Sequence, residues 1–222
     1  MKVAILAANG QIARIVEQRI LTEDQFKDVD LTLFLRKKDR LANLADNPRG
    51  TPIEGDLNNP ADVAKAVAGQ DMVFNAVIDH DDTGHNRPTK NIIAAMKENG
   101  VKRLILTNLL GIYDEVPGEF GKWNRDTCFG GKVRDDNAAL LSDHLAEESG
   151  LDYTTLRLPW LNDRDEVKYR LTHRHDQFVG VSGSRQSIAD VVLKIVADPT
   201  FGSKESLGIA DPDTQGSARP VY

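Results

Sequence analysis

The sequence predicts an α/β protein built on a doubly wound parallel sheet. Apolar runs of strand length alternate with amphipathic helical patterns along most of the chain. This alternation implies parallel strands joined by right-handed crossovers. With 222 residues, 40% of them hydrophobic, the chain is long enough for one core and short for two. We therefore expect a single domain over residues 1–222.

The strands and helices can be placed in order. The strands expected are Val3–Ala7, Leu31–Leu35, Thr51–Glu54, Met72–Val77, Arg103–Thr107 and Tyr153–Arg157. A helix with isoleucines at helical spacing follows the first strand, and Asn59-Pro60 opens another that Gly69 closes. Gly100 and Gly150 close the helices around Ile92–Glu98 and Ala138–Glu148.

From about residue 158 the alternation of strand and helix patterns becomes less regular. This C-terminal part is expected to form a small extension that completes a substrate pocket. Alternation over residues 167–181 indicates a short hairpin. Residues 184–198 follow with a helical pattern, and residues 206–211 indicate a last strand.

Composition narrows the functional class. A net charge of −6 argues against nucleic-acid binding by general electrostatics and leaves small molecules as the expected partners. No apolar run approaches membrane-spanning length and the N-terminus lacks a signal-peptide pattern, so a cytoplasmic protein is expected. Cys128 is the single cysteine, which excludes an intrachain disulfide and a cysteine metal cage.

The turn after the first strand is a candidate dinucleotide site. Residues 7–13, AANGQIA, have the small-x-x-Gly-x-x-small spacing that brings a pyrophosphate to the N-terminus of the next helix. Gly10 would let the backbone approach the phosphates, and Ala13 would permit close packing of helix and strand. The cofactor-binding residues expected here are Ala8, Asn9, Gly10, Gln11 and Ile12. An ordinary strand-turn-helix is the competing interpretation.

The next two strand ends bear on the choice of cofactor. The second strand ends in Leu35-Arg36-Lys37-Lys38, where an NAD-specific site would normally place a carboxylate. A guanidinium can bind a 2′-phosphate bidentately, so Arg36 points to NADP, with NAD as the alternative. A solvated charge run is the other explanation of this cluster. After the third strand, Asp56 could accept a hydrogen bond from the adenine amino group, and Leu57 lies beside it.

The chain resembles the atypical short-chain dehydrogenase/reductase group, which includes NmrA-like proteins and the flavin reductase also called biliverdin-IXβ reductase. The matching stretches span most of the chain: AANGQIA, RKKDRL, EGDLNN, AVAGQDMVF, NIIAAMKENGVKRLIL, EESGLDYTTLRLPWLND and SRQSIADVVLKIV. The resemblance implies a Rossmann-type sheet with NADP at its switch point. It also implies that Ala76 and Val77 line the cofactor, that Asn108 lies beside the nicotinamide, and that Pro159 approaches its carboxamide.

The departures from that group concern catalysis. Typical members use a Ser and a Tyr-x-x-x-Lys pair. This chain lacks the pair and has Thr107-Asn108, both expected to bind the cofactor, where serines are common. We therefore expect an NADPH-dependent reductase of a flavin, quinone or similar planar acceptor, in which solvent can supply protons. Asn108 would orient the nicotinamide or substrate, and Tyr113 is the candidate proton donor. The alternative is a non-catalytic redox sensor that acts through a protein partner.

Other polar and aromatic residues have both a functional and a structural explanation. Asp79-His80-Asp81-Asp82 with His85 could form a metal or acid/base site, although a polar loop explains them as well. His173 and His175 alternate in the expected hairpin, and two histidines alone make a poor zinc site, so no metal is expected. Residues 109–132 are expected to form a lid over the active site. Its aromatic side chains could hold a planar substrate or, equally, could cap the core. These aromatics are Tyr113, Phe120, Trp123 and Phe129.

Overall fold

The structure, a computed structural model, describes residues 1–44, 46–79 and 85–222. Its strands are β1 Lys2–Leu6, β2 Asp30–Leu35, β3 Gly50–Glu54, β4 Met72–Asn75, β5 Arg103–Leu109, β6 Asp152–Leu158, β7 Trp160–Asn162, β8 Arg170–Thr172, β9 Ser182–Ser184 and β10 Glu205–Ala210. Its α-helices are α1 Gln11–Thr22, α2 Pro60–Val67, α3 Arg87–Glu98, α4 Gly118–Phe129, α5 Ala138–Glu148 and α6 Arg185–Ala197. Within this described part, no helix has the length and apolar composition needed to cross a membrane.

The main sheet has eight strands in the order β3-β2-β1-β4-β5-β6-β10-β8. Every pair is parallel except β10 and β8, which run antiparallel. The direction of winding reverses beside β1, so the crevice beyond the carboxyl ends of β1 and β4 is the switch point of a Rossmann-type fold. The predicted fold class is confirmed.

Alternating strand residues pack against helices on both faces of the sheet. Ile5, Leu33 and Phe74 share one core with residues of α1 and α6. Leu6 and Leu106 face the other way and share a second core with residues of α2, α3 and α5. Burial on both faces explains why the strands are near-continuous apolar runs in the sequence.

Helix boundaries follow their capping residues. α5 occupies the predicted range because the Asn137 side chain accepts hydrogen bonds from the backbone N–H groups of Ala139 and Leu140. The Asn59 side chain caps α2 in the same way, with Pro60 at the first helical position. α3 begins earlier than predicted, at Arg87.

Two sequence predictions in the second half of the chain are wrong. Residues 167–181 do not form a hairpin, because β8 pairs with β10 about forty residues further along. The neighbouring strand β9 pairs in parallel with β7 in a separate two-stranded sheet. Residues 109–132 are not a continuous lid loop, because they contain α4, which ends at Gly130 in a left-handed conformation with φ 62°.

Candidate functional site

A cavity of about 810 Å³ lies beyond the carboxyl ends of β1, β2, β3 and β4. It brings together seven of the residues predicted to bind a cofactor: Asn9, Gly10, Arg36, Asp56, Leu57, Ala76 and Val77. Its other lining residues are Ala7, Phe34, Leu35, Lys37, Arg40, Gly55, Asn58, Asn75, Ile78, Asp79 and Pro88. The cavity therefore occupies the place where an open α/β sheet binds ligands.

The floor of the cavity is the turn between β1 and α1. Ala7 adopts φ 60°, a left-handed conformation that L-residues other than glycine adopt at a cost. The turn is closed by a 3.0 Å hydrogen bond from Gly10 N to Ala7 O and tied to β2 by a 3.0 Å bond from Ala8 N to Phe34 O. The residue with left-handed backbone angles in this turn is therefore Ala7, which occupies the position where the dinucleotide motif usually has glycine.

Glycine is favoured at position 10 because a side chain there would be crowded, and not because of the backbone angles. Its φ is −66°, which any residue can adopt, but a Cβ built there would lie 3.3 Å from the Ala7 carbonyl oxygen. No side chain caps α1, and no acidic residue stands in its first turn. The first backbone amides of a helix have no intrahelical partner, so this end of α1 can accept a negatively charged group.

A group of cations forms one wall. Arg36, Lys37 and Arg40 line the cavity and are exposed to solvent. Their side chains make no hydrogen bond or ion pair with any described residue. The nearby acid Glu54 accepts from the backbone N–H of Lys38 at 3.1 Å, which shapes this loop. Three unpaired cations in a chain of net charge −6 give this wall a positive charge that suits an anion.

The loop after β3 is held in place by local hydrogen bonds. Asp56 Oδ1 accepts from the backbone N–H and the side-chain amide of Asn58, at 2.9 and 3.1 Å. Asn91 of α3 donates to the Leu57 carbonyl oxygen at 2.9 Å. A Cβ at Gly55 would lie 2.5 Å from the Phe34 ring, so close packing there requires glycine. Asp56 is consequently fixed at the rim of the cavity, where its carboxylate can still accept a further hydrogen bond.

Asn75 was not predicted as a site residue. It is 1% exposed at the end of β4, and its side-chain amide donates to the Val77 carbonyl oxygen at 3.0 Å. Its Oδ1 atom is buried without a hydrogen-bond partner among the described residues. Thr107 does not line the cavity but donates to the Asn75 carbonyl oxygen at 3.1 Å, which fixes this strand end. A polar residue closing an apolar strand was the sequence signal that could have revealed Asn75.

Asn108 lies away from the cavity. It is fully buried, and its side-chain amide donates to the Ala139 carbonyl oxygen at 2.8 Å and to Ser142 Oγ at 3.2 Å. Its Oδ1 atom accepts from the backbone N–H of Leu109 at 2.8 Å. This geometry does not support the expected contact with a nicotinamide or substrate, because the side chain is turned toward α5. The residue instead joins β5 to the first turns of α5.

The Tyr113 side chain also interacts with α5. Its hydroxyl donates a hydrogen bond to Asp143, a fully buried carboxylate of α5. Burial, together with the negative charge of Asp143, raises the pKa of the Tyr113 phenol well above its usual value, with Arg174 and Ser206 acting in the opposite direction. A phenol with a raised pKa whose proton is already donated is a poor acid, so this geometry does not support the expected proton donor.

The remaining predicted residues do not line the cavity. Ala8 is fully buried, Gln11 is exposed on α1, Ile12 packs against the core, and Pro159 is buried after β6. Among the aromatics of residues 109–132, Phe120 is 3% exposed and belongs to the core. Trp123 packs on Trp160 with ring centroids 4.9 Å apart. Phe120 therefore packs in the core and is not part of an exposed lid. Trp123 and Trp160 remain partly exposed.

The acidic and histidine clusters gain no support as a metal site. Asp79 is buried and accepts from Thr89 Oγ1 at 2.6 Å and Thr89 N at 3.2 Å. His80, Asp81 and Asp82 lie outside the described residues. His173 and His175 are not on a strand; His173 lies 3.3 Å from an oxygen of Glu205. Among the residues with a described position, no three His, Cys, Asp or Glu side chains are placed to hold a metal ion.

Comparison with known proteins identifies the family. Residues 7–199 match the model of a family described as NAD(P)H-binding. The chain belongs to this NAD(P)H-binding family. A Rossmann-fold NAD(P)-binding family protein from Shigella flexneri is 32% identical, with a TM-score of 0.78, and the match covers 100% of this chain and 98% of that one.

Two further structures resemble this family member. A wide-type short-chain dehydrogenase/reductase from Veillonella parvula DSM 2008, solved in complex with NADP, is 28% identical with a TM-score of 0.86, and the match covers 100% of this chain and 99% of that one. ChuY, an anaerobillin reductase from Escherichia coli O157:H7, shares the fold at 19% identity and a TM-score of 0.77, over 100% of both chains. The resemblance to atypical short-chain dehydrogenases/reductases is confirmed.

Proposed function

We propose that the protein binds NADP(H) in the 810 Å³ cavity. The observation that carries this proposal is the placement of three unpaired cations, Arg36, Lys37 and Arg40, in the same cavity as the uncapped N-terminus of α1. A 2′-phosphate would pair with the cations, and the pyrophosphate would meet the free amides beyond Gly10. Asp56 would accept from the adenine amino group. The NADP complex of the Veillonella relative supports the same cofactor.

The chemistry proposed is hydride transfer to a planar acceptor of the flavin or quinone class. The nicotinamide, when bound, supplies the hydride, and the chain contributes binding and alignment. Thr107 holds the end of β4 through the Asn75 carbonyl oxygen, and Asn108 holds α5 against β5. Thr107 therefore positions a strand end that lines the cavity, whereas Asn108 positions a helix against the sheet. Because Tyr113 donates to Asp143, a proton for a reduced acceptor would come from solvent, which flavins and quinones permit.

Cofactor choice is tested by calorimetric titration of NADPH and NADH. We expect the unmodified protein to prefer NADPH, and Arg36→Glu to weaken NADPH binding by roughly 10- to 100-fold, because a charge-assisted contact is lost. NADH binding should change much less. Lys102→Glu is the matched control, because Lys102 is an exposed cation distant from the cavity lining. Equal affinity of the unmodified protein for both cofactors would contradict the proposal.

A redox sensor is the second candidate function. It is favoured by the positions of Tyr113 and Asn108, whose polar groups are occupied by α5 instead of facing the cavity. The two functions separate in an assay of NADPH oxidation with FMN, a quinone and a small ketone. Turnover with FMN or the quinone supports the reductase. Binding of NADPH without oxidation by any acceptor supports the sensor, and efficient ketone reduction would contradict both.

A further inference from the structure

An Asn-Gly pair, Asn9-Gly10, lines the 810 Å³ cavity. The chain contains one other such pair, Asn99-Gly100, at the end of α3. Asparagine loses its side-chain nitrogen as ammonia most readily when glycine follows it, because glycine has no Cβ to shield the backbone nitrogen that attacks the side chain. The two pairs therefore share the same intrinsic chemistry, and the fold decides how fast each of them reacts.

The reaction at Asn9 needs no reactant besides the chain and water. The backbone nitrogen of Gly10 attacks the side-chain carbon Cγ of Asn9, so that an N–Cγ bond forms and the Cγ–Nδ2 bond breaks. Ammonia leaves with the proton of the Gly10 N–H group, and a succinimide ring remains. Water then opens the ring at either of its carbonyl groups and gives aspartate or isoaspartate. Both products carry a negative charge that asparagine lacks.

The Asn9 side chain is not held by the protein. Asn9 is half-buried and borders the cavity, so solvent reaches it. Its side chain shares no hydrogen bond with any residue of described position. Rotation of the side chain toward the Gly10 nitrogen therefore breaks no contact of this kind.

The turn that contains Asn9 carries backbone strain. The Gly10 N–H group donates to the Ala7 carbonyl oxygen at 3.0 Å, and this bond must break before the nitrogen can attack. The same bond closes a turn in which Ala7 has a φ of 60°, a conformation that is costly for an L-residue with a Cβ. Opening the turn releases this strain. The free energy needed to free the Gly10 nitrogen is reduced accordingly.

Asn99 is restrained more firmly. Its Nδ2 atom donates to the Ala95 carbonyl oxygen at 2.8 Å, which ties the side chain to the last turn of α3. The Gly100 N–H group donates to the Lys97 carbonyl oxygen at 3.3 Å. The residue with positive φ here is Gly100 itself, at 70°, and glycine adopts this conformation without strain. Reaction at Asn99 must therefore break a side-chain bond as well as a backbone bond, and it releases no strain.

We propose that Asn9 is a deamidation site and that its product prevents dinucleotide binding. The new negative charge would arise in the turn that leads into α1, beside the backbone amides to which a pyrophosphate is assigned. Isoaspartate would also lengthen the backbone of this turn by one carbon atom. A bound dinucleotide would hold the turn closed and protect Asn9. The deamidation site stands on the geometry of the turn, whereas the loss of binding and the protection rest on the proposed function.

Peptide mass spectrometry of the unliganded protein, kept at pH 9 and 37 °C, tests the site. Trypsin releases Asn9 in the peptide of residues 3–14 and Asn99 in the peptide of residues 98–102, and deamidation shifts the mass of its own peptide. Each rate is divided by the rate of the same site in the urea-unfolded chain. We expect this ratio to be roughly 2- to 10-fold higher for Asn9, the factor that one side-chain hydrogen bond gives. An equal ratio, or a higher ratio for Asn99, would overturn the proposal.

Ala7→Gly tests the contribution of strain. Glycine adopts the φ of 60° freely, so the turn should open less often and Asn9 should deamidate more slowly, by up to roughly 5-fold. The rate at Asn99 is the internal control and should not change. An unchanged or increased rate at Asn9 would contradict the strained turn as the cause of reactivity.

NADPH tests the link to the cofactor. At an NADPH concentration of 100 Kd, deamidation of Asn9 should slow by roughly 10- to 100-fold while Asn99 reacts as before, because the ligand binds only the closed turn. In calorimetry, Asn9→Asp should bind NADPH roughly 10-fold or more weakly than Asn9→Ser, which also lacks the amide but is neutral. Absence of protection, or equal affinity of the two variants, would overturn this link. If the unmodified protein does not bind NADPH, the proposed function fails, while the rates in the unliganded protein still decide the deamidation site.

Discussion

Glu17 should make the stability of this protein fall as pH rises through neutrality. The side chain lies on α1, is only 2% exposed, and has an Oε1 atom without a hydrogen-bond partner among the described residues. Burial raises its pKa from 4.5 to about 8, and the nearby Arg14 offsets only part of this effect. The folded protein therefore holds a neutral glutamic acid over a pH range in which the unfolded chain ionises it.

The sign and size of this change in the free energy of unfolding follow from the linkage between proton binding and folding. Between pH 4.5 and about 8 the folded state binds the proton more tightly than the unfolded state, so raising the pH in this range favours unfolding. Each pH unit in that range costs about 1.4 kcal/mol, which gives a loss on the order of 3 kcal/mol at pH 7. The loss should reach its limit once the pH passes the folded-state pKa.

Glu17→Gln removes this dependence, because glutamine keeps the shape and stays neutral. Urea unfolding followed by circular dichroism at pH 5, 7 and 9 should give nearly equal free energies of unfolding for the two proteins at pH 5. At pH 9 the variant should be more stable, by roughly 3–5 kcal/mol. Glu148→Gln is the control, because Glu148 is exposed on α5. A difference between Glu17→Gln and the unmodified protein that stays constant from pH 5 to pH 9 would refute this reasoning.

Three other substitutions probe the cavity and its surroundings. Gly10→Val should abolish NADPH binding in calorimetry while leaving the circular dichroism spectrum unchanged, because a branched side chain would block the approach of a pyrophosphate; normal binding would contradict this role. Ala7→Gly should raise the free energy of unfolding by up to about 1 kcal/mol, because it relieves the φ of 60°; a destabilised variant would count against strain in the turn. Asn108→Ala should lower the unfolding free energy by about 1–3 kcal/mol, because the bonds to Ala139 and Ser142 are lost. A stable Asn108→Ala variant that loses only turnover would instead restore the direct role expected from the sequence.

The sequence by itself determined the order of strands and helices in the first half of the chain and several residues that line the candidate cofactor cavity. Apolar periodicity and capping residues are local signals, so the strands of the first half and the range of α5 were predicted to within a few residues. The carboxyl ends of parallel strands meet at one edge of a sheet. Arg36 and Asp56 could therefore be placed together from their positions after β2 and β3, and the family resemblance added Ala76 after β4. All three line one cavity.

Tertiary structure decided what depends on partners distant in sequence. The strand β8 pairs with β10 and not with its own neighbour, which a local alternating pattern cannot reveal. The helix α4 did have local signals, Pro117 before it and Gly130 after it, but the glycines and aromatics within it favoured a loop. Asn108 was expected at the reaction site because of the family resemblance, and Tyr113 because its phenol could donate a proton there. Their side chains point to α5 instead, because Ser142 and Asp143 satisfy buried polar groups that would otherwise lie unpaired in the core.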